Sequence, residues 1–219
     1  KPIMEKNSPE FLIGFGFACP YLEPLLTTPD YETSKKKMVS LMPGDQGVIP
    51  WPKNGKNVSV LVDETSWPIN TSSADLIVMA HGLEVSGSQK NLLLEASRVL
   101  NGKGKLVLLV QNRTGFWARS DNTPFGFGKP YTVNQLNLML SQNHFQIENI
   151  LPTLFGLPSH KGYWLRSINF WETVGKRFNY PFFGGVLIVE ASKSIYGAKK
   201  LISKKTRKIS SYGKAPVTS

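Results

Sequence analysis

An α/β fold around a mostly parallel sheet is predicted by three observations. Short apolar runs bounded by turn residues recur along the 219 residues. Helical patterns lie between them, and alternation of the two kinds of segment is the signature of strands joined by crossover helices. The length, with an ordinary globular composition, suits one sizeable core.

The runs follow in order. FLIGF (11–15) is the first expected strand, KMVSLM (37–42) the second, stopped by Pro43-Gly44, and VSVLVD (58–63) the third, ending on an acid. DLIVMA (75–80) is the fourth. In SQKNLLLEASRVL (88–100), Leu92, Leu93, Ala96, Val99 and Leu100 fall at helical spacing, and Asn101-Gly102 are expected to stop that helix. KLVLLV (105–110) is the fifth strand. Thr132 and Gln135 form a T-x-x-Q capping box ahead of LNLML, which predicts a helix there. FQIENI (145–150) and GVLIVEA (185–191) are the sixth and seventh strands, separated by an aromatic-rich insertion, 155–183, expected to cover the sheet or to offer a dimer surface.

Composition narrows the function classes. A lone cysteine, Cys19, excludes an intrachain disulfide, and no stretch reaches the roughly 18 apolar residues of a membrane span, so a cytoplasmic protein is expected. The opening KPIMEKN has no secretory signal pattern and no initiator methionine, which suggests residues upstream. His81, His144 and His160 are scattered, so no metal site is read.

Charge divides the chain into a body, 1–191, and a basic tail, 192–219. Of the net charge of +11, eight cations and no acid lie in the tail, leaving +3 for the body. The tail is either a solvated extension or an arm for an anionic partner. Deleting residues 199–219 is expected to leave the melting temperature nearly unchanged, since the tail holds little apolar surface to bury. A large fall in a thermal melt would show that it docks.

In an open parallel sheet, ligands bind at the carboxyl ends of the strands where strand order reverses. Gly14 and Gly16 in FLIGFGFACP would permit a turn and close backbone approach there, with Ala18 next smallest. Asp63, ending the third strand, would turn its carboxylate toward the same crevice, where it could accept from an adenine amino group, whereas Asp75 at the opposite end reads as a turn or capping residue. A dinucleotide site would need a third glycine where Cys19 stands and an acid where the second strand ends in Met42-Pro43.

The ordered segments FLIGFGFACPYLEPLL, LVDETSWPINTSSADLIVMAHGLE and LLLEASRVLNGKGKLVLLVQNRTGFWAR resemble those of the class I S-adenosylmethionine-dependent methyltransferases, in particular the type 11 group. TPFGFGKPYTVNQL is similar to the wording of a bacterial subgroup. The resemblance implies a Rossmann-like seven-stranded sheet of order 3-2-1-4-5-7-6, strand seven antiparallel, with helices on both faces, and S-adenosylmethionine as cofactor. Residue by residue, it implies that Gly14, Phe15, Gly16 and Ala18 pass beneath the cofactor's amino acid part. Asp63 would reach the adenine amino group and the Glu64 backbone the adenine ring, while Ala80 and His81 would lie near the methyl group.

The chain departs from the pattern twice. No acid stands at Leu12 or Gly14, and the position that holds the ribose hydroxyls in relatives is Met42, with Asp45 or Gln46 as replacements nearby. Nor does AHGLE match the Asn- or Asp-Pro-Pro-aromatic motif common in base amine methylation. The expected function is methyl transfer to an unidentified acceptor, a small molecule in preference to nucleic acid, with His81 as general base or cofactor contact, Glu84 three residues on as its orienting partner or an ordinary helix-start acid, and Arg113, Trp117 and Tyr131 on the acceptor side. The alternative is a catalytically silent methyltransferase-like domain that binds or regulates a partner.

Overall fold

The computed structural model describes residues 9–26, 36–115, 128–154 and 184–194. Strands β1 (Phe11–Gly16), β2 (Lys37–Pro43), β3 (Ser59–Val62), β4 (Ala74–Ala80), β5 (Leu100–Gln111), β6 (Phe145–Thr153) and β7 (Val186–Lys193) form one sheet of order 3-2-1-4-5-7-6. Strands β1 to β5 pair in parallel; β7 runs antiparallel between β5 and β6. The expected strand set and order are those observed. Four helices are described: α1 (Cys19–Leu26), α2 (Gly82–Val85), α3 (Gln89–Val99) and α4 (Val133–Gln142).

The central strands alternate between two buried layers, which is why their sequences are apolar throughout. Ile13, Phe15, Ile77, Met79, Leu106 and Leu108 face Leu92, Leu93 and Ala96 of α3 and Leu136 and Leu140 of α4. On the other face Leu12, Met38, Met42, Leu76 and Val78 pack with Ala18, just ahead of α1, and with Cys19 and Leu22 of α1. A Cβ on Gly14 would come 2.5 Å from Leu22 Cδ1 and 2.9 Å from Ala18 Cβ, so this glycine is what lets α1 lie flat on β1. Pro20 sits in the first turn of α1, where no N–H partner is lost, and Pro24 lies inside this eight-residue helix.

The capping box at the start of α4 is present in full: Gln135 N–H donates to Thr132 Oγ1, and Thr132 N–H to Gln135 Oε1 at 3.0 Å. The expected stop at Asn101-Gly102 is not observed. Helix α3 ends at Val99 and β5 begins at Leu100, so Asn101 and Gly102 belong to the strand, where Leu100 pairs with Ala74. Asn101 Nδ2 donates to Asp75 Oδ1, while Asp75 Oδ2 accepts from the N–H groups of Glu10 and Phe11, both at 2.9 Å. Asp75 therefore ties together the amino ends of three strands, in keeping with the turn role read for it. The 155–183 insertion and the tail beyond Ser194 lie outside the described residues.

Candidate functional site

The order reverses between β1 and β4, so the crevice opens at their carboxyl ends. Gly16 has φ +72°, and a Cβ there would stand 2.6 Å from Ala80 O and 3.2 Å from Gly82 Cα. Phe17 N–H donates to Ala80 O at 2.9 Å, locking the β1–α1 turn to the end of β4. Contact of the chain with itself is thus enough to require glycine at both positions. Phe15 is buried and stacks on Trp67 at 5.1 Å between ring centroids, so only its backbone borders the crevice. Ala18 and Ala80 are buried beside it.

Strand β2 runs one residue beyond its expected end, to Pro43, and Met42 is buried in the layer beneath α1. Its Sδ accepts from Ile49 N–H at 3.4 Å. Asp45 lies exposed in the 3-10 turn Gly44–Gln46 that follows. At the end of β3, Asp63 is exposed; its Oδ1 accepts from Thr65 N–H at 2.7 Å and Thr65 Oγ1 at 2.6 Å, which holds its carboxyl below the usual range. Its Oδ2 has no partner among the described residues. Glu64 Oε1 accepts from Ser88 N–H at 3.0 Å and its carbonyl from Trp67 Nε1 at 3.2 Å, fastening this loop to the one ahead of α3. A second clamp secures the same loop, since Arg98 donates to the Trp67 and Ile69 carbonyls and to Glu95, which in turn accepts from Trp67 N–H.

The most developed constellation is at the ends of β4 and β5. His81 takes a left-handed conformation, φ 53°, at the N-cap of α2. Its Nδ1 lies 3.0 Å from Oε1 of Glu84, which is 2 % exposed and also accepts from Gln111 N–H at 2.8 Å. Glu84 Oε2 is buried and has no hydrogen-bond partner among the described residues. The Glu84 carbonyl accepts from Lys129 N–H at 3.0 Å, which brings in the segment before α4. There Tyr131 is buried; burial and the Glu84 carboxylate push its hydroxyl up to about 12, so it stays protonated. Arg113 N–H donates to Tyr131 O at 3.0 Å, so these two expected acceptor-side residues share one junction; Trp117 lies outside the described residues.

The chain matches no protein-family model and no curated protein. Solved structures share its architecture. A SAM-dependent methyltransferase from Archaeoglobus fulgidus is 15% identical with a TM-score of 0.58, the match covering 88% of this chain and 90% of that one. A SAM-dependent methyltransferase from Thermotoga maritima, described as a possible histamine N-methyltransferase, is 14% identical over 87% and 84% with a TM-score of 0.56. Geranyl diphosphate C-methyltransferase from Streptomyces coelicolor, solved with Mg2+, geranyl diphosphate and S-adenosyl-L-homocysteine, is 13% identical over 84% and 71% with a TM-score of 0.53. The fold is that of the SAM-dependent methyltransferases. At these identities the likeness extends to the fold and no further. Among the described residues no helix is long and apolar enough to cross a membrane.

Proposed function

We propose that the chain binds S-adenosylmethionine at the carboxyl ends of β1 to β4 and transfers its methyl group to a small-molecule hydroxyl or amine. The observation that carries this reading is the His81–Glu84 pair, a histidine held by a buried carboxylate beside the strand-order switch. The cofactor, when bound, would supply an electrophilic sulfonium methyl for in-line displacement. Glu84 fixes the His81 ring and keeps the proton at Nδ1, which places the basicity of the ring at Nε2 for removal of the acceptor's proton. The wording of residues 92–119 and 123–136 favours the type 11 bacterial subgroup.

The donor set fits the cofactor at one end better than the other. At the adenine end Asp63 has an oxygen to accept an amino group. At the ribose end a buried thioether replaces the carboxylate, which removes a charge-assisted contact and weakens binding about 10- to 150-fold. Asp45 is the nearest acid past β2 to substitute for it. That same observation at Met42 favours the second reading, a silent methyltransferase-like domain.

Isothermal calorimetry with S-adenosylmethionine and S-adenosylhomocysteine separates the two, because a silent domain gives no binding at millimolar ligand. Asp63→Ala is expected to weaken S-adenosylmethionine binding by about tenfold with the melt unchanged, since the carboxylate is exposed and its loss removes one charged acceptor. Unchanged affinity in the folded variant would take Asp63 out of the site.

A further inference from the structure

Next to the junction of Arg113, Lys129 and Tyr131, residues of α3, α4 and the segments flanking Tyr131 line a groove of about 760 Å3, within the range of small-molecule sites. Three cations border it: Lys90 in the first turn of α3, Arg113 past β5, and Lys129 before α4. All three are exposed, and none makes an ion pair or side-chain hydrogen bond among the described residues. No acid lines the groove among those residues. Water and salt screen the repulsion among exposed cations, but their shared sign gives the groove a positive potential that favours an anion. The long helix α3 points its amino end, which Ser88 leaves without a side-chain cap, toward the same side.

We propose that this groove is a binding site for a phosphate-bearing small molecule with a hydroxyl-rich body, of the size of a sugar phosphate or nucleotide. Three positive charges match a phosphomonoester, at about −1.5 to −2, better than a single carboxylate, and the Arg113 fork suits two phosphate oxygens. The body would lie along Gln135 and Gln142: the Gln142 amide can both donate and accept, and Gln135 Nε2 can donate while its Oε1 is held in the capping box. Asn143 is buried just past α4, where its Nδ2 donates to the Met139 carbonyl at 2.7 Å. Among the described residues the one aromatic ring in the lining, Tyr131, is buried and offers no stacking face, which favours a small molecule over a nucleic-acid strand. The chain's own tail is excluded by sign, since it carries eight cations and no acid.

The site shares Arg113 and Tyr131 with the expected acceptor side, and its test reads probe binding alone, so it can fail or hold whether or not methyl transfer is found. The test is calorimetry of the full chain with ribose 5-phosphate as probe and ribose as control. One probe per chain is expected to bind, ribose not at all. Lys90→Gln/Arg113→Gln should weaken it about tenfold or more, while Lys204→Gln/Lys205→Gln in the tail should leave it unchanged. Lys129→Gln serves as the second variant if the double one melts early. Absence of binding, several probes per chain, or equal weakening by the tail variant would overturn the proposal. So would binding confined to an RNA oligonucleotide, which would assign these cations to a polyanion instead.

Discussion

Gly16→Ala is expected to destabilise the fold by about 3 kcal/mol or more, a fall of about 6 to 12 °C in melting temperature for a domain of this size. Two costs add. A residue with a Cβ at φ +72° pays the left-handed penalty, and that Cβ would stand 2.6 Å from the carbonyl of Ala80, which is backbone in a central strand and cannot rotate away. The same carbonyl accepts from Phe17 N–H, so relief by moving it would break the lock between the first turn and β4. Gly14→Ala should cost less, because the nearest atom there is the end of the Leu22 side chain. Circular-dichroism melts of both variants give the comparison. If Gly16→Ala melts like the parent but loses S-adenosylmethionine affinity, the glycine serves the ligand and the packing explanation is wrong.

Those two glycines also show where sequence reading stopped. That FLIGFGFACP is a strand and a turn is legible from local chemistry, as are the capping box at Thr132 and the strand set, because each depends on neighbours in the chain. Why Gly14 and Gly16 are glycines is not, because the atoms that exclude a Cβ belong to α1 and to the β4–α2 loop. The Asn101-Gly102 signal misled for the same reason. Pairing of Leu100 with Ala74 draws the chain into a strand before a local stop is needed. The departure at Met42 was visible as a missing acid, but its burial and its contact with Ile49 N–H were not. Lys90, Arg113 and Lys129 lie on three separate segments, so the groove they border has no sequence signature at all.

His81→Ala is expected to lower turnover by about 100-fold or more while S-adenosylmethionine affinity stays near that of the parent, since a general base commonly contributes 10²- to 10⁴-fold. The geometry supports that split. His81 is fixed through Nδ1 to a carboxylate anchored by Gln111 N–H, an arrangement that orients a base, whereas the acceptor proposed for the adenine end, Asp63, lies at the close of β3. Glu84→Gln should produce a smaller fall in turnover and move the pH–rate profile, because an amide side chain holds the ring without the negative charge that favours Nδ1–H. A mere structural role for Glu84 would lower stability and leave the profile where it was. An acceptor is needed first, and a screen of small-molecule extracts and RNA with radiolabelled methyl donor supplies one. Affinity lost in His81→Ala with turnover at saturation intact would make His81 a cofactor contact. Failure of every acceptor class together with absent cofactor binding would leave the pair of half-buried His81 and buried Glu84 a structural lock in a silent domain.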